Sequence, residues 1–106
     1  MRASCYYRKN EFQKALDDYT KCISIKPDDH RSYNNRGTIY MNAFQKYNEA
    51  MIEFTKAISI NPLPSYYLNR SICYYKMGNM AKAKEEALIA NRRGAVIPDN
   101  YKFILK

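Results

Sequence analysis

The chain has 106 residues, enough for one domain or a stretch of a longer array, and at 46% apolar it can form a continuous core. Its apolar runs are only a few residues long, which excludes a transmembrane helix, and Met1 is followed by polar and charged residues where a secretory leader would be apolar. The net charge of +8 leaves a nucleic acid, an anionic surface or an acidic peptide open as partner, so its distribution decides more than its total.

In chain order, residue spacing predicts helices over 2–9, 12–25, 31–43, 47–60, 65–77 and 80–92, and a final helical segment over 99–105. The warrant is self-similarity. Arg2, Arg36 and Arg70 recur every 34 residues, as do Cys5, Ile39 and Cys73, and Tyr6, Tyr40 and Tyr74. A second series, Ala15, Ala50 and Ala83, is spaced 35 and then 33, and Tyr19, Phe54 and Ala87 keep step with it. One residue is therefore gained in the connection between Tyr40 and Tyr47 and one lost around Pro62-Leu63-Pro64, where length changes leave packing intact. Within each unit, small and aromatic residues four apart share one helical face, so a neighbouring helix can approach closely. Asn10 and Gly78 stand where turns inside a unit need left-handed backbone, and Pro27 and Pro62 close the first two units.

The residues Tyr33-x2-Arg36-Gly37-x2-Tyr40, then Ala50-x3-Phe54, Ala57 and Pro62, resemble the tetratricopeptide repeat, with Tyr for its Trp and Arg for its Leu. Tyr67-x2-Arg70-Ser71-x2-Tyr74 with Ala83-x3-Ala87 gives a further unit, and Tyr6 with Ala15-x3-Tyr19 and Pro27 an earlier one. The resemblance implies an all-α fold, a right-handed superhelical solenoid of antiparallel helix hairpins. It implies a single array with units of about 1–29, 30–63 and 64–97, and with 98–106 opening a further or capping helix. Neither end reads as a polar cap, so the expectation is a segment of a longer array, or ends covered by another chain.

No constellation for catalysis is legible. His30 is the one histidine and reads as a solvated residue starting a helix. The acidic pairs Asp17/Asp18 and Glu85/Glu86 read as solvated faces, and no glycine loop could cradle phosphate. The expectation is a non-enzyme with no cofactor, no metal, no small-molecule substrate and no membrane insertion. Three cysteines make an odd count without a C-x-x-C pair, which reads as reduced thiols packed as small hydrophobes and hence a cytoplasmic protein.

Charge gives the sharper functional argument. The predicted first helices carry Arg2, Arg8, Lys9, Arg31, Arg36, Arg70 and Lys76 and no carboxylate, which leaves eleven basic against ten acidic residues elsewhere. In the family the first helices line a concave groove, so the resemblance implies a basic groove holding a peptide or a neighbouring subunit, most naturally acidic. Its family positions here are Tyr7, Arg8, Arg31, Asn34, Asn35, Thr38, Met41, Asn42, Leu68, Asn69, Ile72, Tyr75 and Lys76, with Ser4 beside them. Asparagines offer a donor and an acceptor to a peptide backbone, cations meet carboxylates, and Tyr7, Met41, Leu68, Ile72 and Tyr75 would form apolar pockets. The carboxylate clamp of co-chaperone repeats is not reproduced: Ser65 and Asn69 stand where its cations would be. Two other readings stay open, an RNA-binding helical-repeat module using exposed tyrosines to stack on bases, and a purely structural segment of a large complex.

Overall fold

The computed structural model describes the backbone of residues 2–106 and the side chains of residues 11–106. Among the described residues five α-helices follow one another: α1 (Arg2–Ile25), α2 (His30–Asn42), α3 (Tyr47–Ile60), α4 (Pro64–Lys76) and α5 (Met80–Arg92). A 3-10 helix, Asp99–Leu105, closes the series, and no strand occurs among the described residues. Sequential helices pack as antiparallel neighbours, α2 on α3 and α4 on α5 most extensively, and the result is a helical solenoid.

Three of the helix starts have a local cause. Asp29 caps α2, its carboxylate accepting from the Ser32 amide at 3.4 Å and the Ser32 hydroxyl at 2.8 Å. Pro64 occupies the first turn of α4, where its missing N–H would have no helical partner anyway. Asn79 caps α5 by accepting from the Lys82 amide. The expected one-residue insertion is visible in the two hairpin turns. The Tyr40 carbonyl accepts from Lys46 N–H, six residues on, whereas the Tyr74 carbonyl accepts from Asn79 N–H, five residues on. The longer turn contains Gln45 at φ 52° and the shorter one Gly78 at φ 88°.

The turn expected at Asn10 is absent. α1 runs unbroken from Arg2 to Ile25 where two helices, 2–9 and 12–25, were expected. Lys9-Asn10-Glu11-Phe12 holds neither glycine nor proline, so continued i→i−4 bonding satisfies the backbone with no residue forced into left-handed geometry.

Among the described residues, two apolar clusters form the core. Met41, Ala50, Phe54 and Cys73 make one between α2, α3 and α4. Ala83, Ala87, Ala90, Ile97, Tyr101 and Ile104 make the other between α5 and the 3-10 helix, with Tyr67, Leu68 and Tyr74 of α4 packed against it. Ile72 packs against both. Curvature follows from which helices meet: the first helices α2 and α4 touch each other, while the second helices α3 and α5 do not. The face carrying α2 and α4 is therefore the inner one.

Candidate functional site

The inner face is built from alternate helices, and the side chains fall on it as helical geometry dictates. Asn34 and Asn69, 35 residues apart, meet across the α2–α4 seam, the Asn69 amide donating to the Asn34 side-chain oxygen at 2.8 Å. Thr38 is half-buried and spends its hydroxyl on the Asn34 carbonyl one turn back. Arg31, Asn35 and Asn42 are exposed, while Leu68 is half-buried against the α5 cluster. Met41 departs from expectation. At 4% exposure it lies inside the core among Ala50 and Phe54 of α3 and Cys73 of α4, and does not line an open surface. Tyr7, Arg8 and Ser4 lie outside the residues whose side chains are described.

The basic face is thinner than charge counting implied. Arg36 does not project into the groove: its guanidinium bonds Glu53 of α3 at 2.8 Å and Thr20 of α1 at 3.1 Å. Arg70 repeats the arrangement one unit on, with Glu86 of α5 at 2.8 Å and Thr55 of α3 at 3.3 Å. Both glutamates are buried, so each arginine supplies the charge its carboxylate needs to be tolerated there. What remains on α2 and α4 is Arg31 and Lys76, still with no carboxylate on either helix.

Ile72, Tyr75 and Lys76 end the face at a cavity of about 300 Å³, whose far wall is Pro98, Asn100, Tyr101 and Phe103. Tyr75, Tyr101 and Phe103 meet edge to face, with ring centroids 5.5–5.7 Å apart. Tyr101 is nearly buried, its hydroxyl 2.8 Å from that of Ser71, which in turn donates to the Ala83 carbonyl at 2.6 Å. Burial pushes the Tyr101 phenol above its ordinary pKa. Tyr75 and Phe103, by contrast, remain 39% and 47% exposed, an unusual placement for two adjacent rings.

Sequence reasoning missed Asn100, Tyr101 and Phe103 as parts of the face. A signal was present, because Tyr33, Tyr67 and Tyr101 are spaced evenly by 34. His30 was also misread as solvated. Its Nδ1 lies 2.7 Å from the Tyr66 hydroxyl and its Nε2 3.3 Å from the Asn61 amide, tying the start of α2 to the α3–α4 turn and to α4. Cys73 is fully buried, its thiol donating weakly to the Tyr47 carbonyl and pushed by burial to a pKa of about 11, whereas Cys22 is exposed and packs as no core residue. Among the described residues no cluster of His, Cys, Asp and Glu could hold a metal, and no helix is long and apolar enough to cross a membrane.

Comparison with known proteins agrees with this architecture. A tetratricopeptide repeat profile matches residues 1–29, and a second of the same description matches residues 30–62 and 64–87. Human tetratricopeptide repeat protein 6 is 36% identical over 62 residues, and the bovine protein SGT1 homolog is 34% identical over 74 residues. These stretches cover 57% and 69% of this chain but only 12% and 22% of those relatives. Among solved structures, the Yersinia enterocolitica type III secretion chaperone SycD, in complex with a peptide of the translocator YopD, superposes with a TM-score of 0.76 at 15% identity. That superposition covers 95% of this chain and 79% of SycD. A second SycD structure gives 0.75 at the same identity, over 97% and 72%.

Proposed function

Because the chain belongs to the tetratricopeptide repeat family, we propose that it is a non-catalytic interaction module whose inner face, α2 and α4, holds an acidic peptide of a partner protein within a larger assembly. The observation that carries this reading is the charge pattern of that face. Its two helices contain no Asp or Glu, and the arginines that could blur the pattern, Arg36 and Arg70, are spent on Glu53 and Glu86. Arg31 and Lys76 are left at opposite ends of a surface that also offers the Asn34–Asn69 amides and exposed Asn35 and Asn42. Such a surface can bond an extended backbone through amides while two cations select carboxylates at its ends. SycD, which shares the fold, has been solved with a peptide bound, and this supports peptide capture as something the architecture can do.

Titration of acidic, neutral and basic peptides of equal length, followed by amide chemical shifts, tests the reading. Acidic peptides are expected to shift α2 and α4 resonances, and Arg31→Glu with Lys76→Glu is expected to weaken them by about tenfold, the scale of one or two lost exposed charge contacts. Charge reversal without effect would overturn the reading, as would tighter binding of an oligoribonucleotide with a steep loss in salt.

A further inference from the structure

The cavity between α4 and the 3-10 helix has a chemistry of its own. Ile72, Tyr75, Pro98, Tyr101 and Phe103 make most of its wall, and its volume of about 300 Å³ accommodates one aromatic or branched aliphatic side chain. Three rings around a hollow also suit a methylated ammonium, which is held by the negative faces of aromatic rings. The lining argues otherwise. Lys76 is the cavity's one charged residue, it is exposed, and no ion pair among the described residues holds it, so its ammonium would repel a cationic guest. The rings also present edges to one another, which spends part of the aromatic surface on internal contacts. An apolar guest loses nothing by this, and a carboxylate next to it gains a partner in Lys76.

We infer that this cavity is an anchor pocket for an aromatic or large aliphatic side chain of a partner peptide, with an acidic residue adjacent to it in sequence meeting Lys76. This deepens the reading of the inner face and rests on it: the pocket fixes where the peptide is seated, while the rest of the face holds its backbone. The pocket would then add a requirement for the anchor side chain to the charge selection made by exposed Lys76 and Arg31. It also assigns a role to Phe103, whose half-exposed ring buries little when the pocket is empty and more when it is filled.

The test uses the blocked pentapeptide Gly-Asp-Phe-Asp-Gly with two controls, one carrying Ala for Phe and one carrying Lys for both Asp. Ring resonances of Tyr75, Tyr101 and Phe103 report on occupancy. The parent peptide is expected to shift all three, and each control to bind at least about tenfold more weakly. Phe103→Ala should remove most of the parent peptide's affinity. Lys76→Glu should exchange the preference, so that the Lys-Phe-Lys peptide binds better than the Asp-Phe-Asp peptide, a gain that loss of folding cannot mimic. No ring shift at millimolar peptide, or equal binding of the three peptides, would overturn the pocket. If Phe103→Ala leaves affinity unchanged while Arg31→Glu with Lys76→Glu still weakens it, the pocket is wrong and the acidic-peptide face stands. If neither variant matters, the face itself is wrong.

Discussion

The hairpins α2–α3 and α4–α5 occupy equivalent places in the array and fill them in opposite ways. In the first, Gly37 lies against Phe54: a Cβ on Gly37 would stand 2.8 Å from the Phe54 ring and 3.0 Å from the Glu53 side chain. In the second, 34 residues on, Ser71 replaces the glycine and Ala87 replaces the phenylalanine. The volume that Ala87 gives up is returned by Tyr101 and Ile104, which enter the same apolar cluster from the 3-10 helix. The backbone solution is common to both, but one core takes its largest side chain from within the hairpin, with Cys73 of α4 closing it, and the other takes its bulk from what packs after it. A repeat motif therefore specifies spacing more strictly than it specifies which element supplies the bulk.

The largest effect expected from this difference is at Phe54. Phe54→Ala should destabilise the protein by about 3–5 kcal/mol in denaturant titration, since the ring is fully buried and is the largest side chain of its cluster. A loss under about 1 kcal/mol would mean that the first core, too, is filled from outside. Next is Gly37→Ala, expected to cost about 1–3 kcal/mol through overpacking against that ring, whereas Ser71→Gly should leave the Phe54 core untouched. A third contrast lies in polar groups. Ser71→Ala leaves the buried Tyr101 hydroxyl without its partner and should cost about 1–2 kcal/mol, and Ser71→Ala with Tyr101→Phe should recover part of that loss.

The smallest effect concerns pH and belongs to the first hairpin alone, because α2 starts on a carboxylate cap and α4 on a proline. The hydrogen bond from the Ser32 hydroxyl holds Asp29 below its usual 3.8. A depressed carboxyl contributes stability above its unfolded pKa and loses it as pH falls through the folded value. Thermal melts taken from about pH 5 down to about pH 2 should fall less steeply for Asp29→Asn than for the native chain.

Much of the fold was legible because it is written in spacing. Arg36/Arg70 and Ala50/Ala83 set the register, and the gain of one residue between Tyr40 and Tyr47 appears in the turn bonds where arithmetic put it. The unbroken α1 was not legible, since an Asn in a turn position and an Asn within a helix differ only in what surrounds them. The inner face was half legible. Periodicity marks a residue as first-helix, but Met41 and Tyr75 hold the same place in successive units, and one is buried and the other exposed because a different element packs beside each. The role of Arg36 and Arg70 required knowing that Glu53 and Glu86 sit across the hairpin, a pairing that counting charges cannot reveal. The wall made by Pro98, Asn100, Tyr101 and Phe103 was hidden because those residues follow the last recognisable unit, although their tyrosine keeps its beat.

The two Arg–Glu–Thr links carry a mechanical consequence. Each guanidinium touches three helices in succession, first α1, α2 and α3, then α3, α4 and α5. A solenoid behaves as a spring whose stiffness is set by contacts between coils, and directional bonds resist sliding more than an apolar seam does. Arg36→Lys and Arg70→Lys would keep the charges while losing the fork that reaches two partners at once. The array would then be softer in pitch with its cores intact.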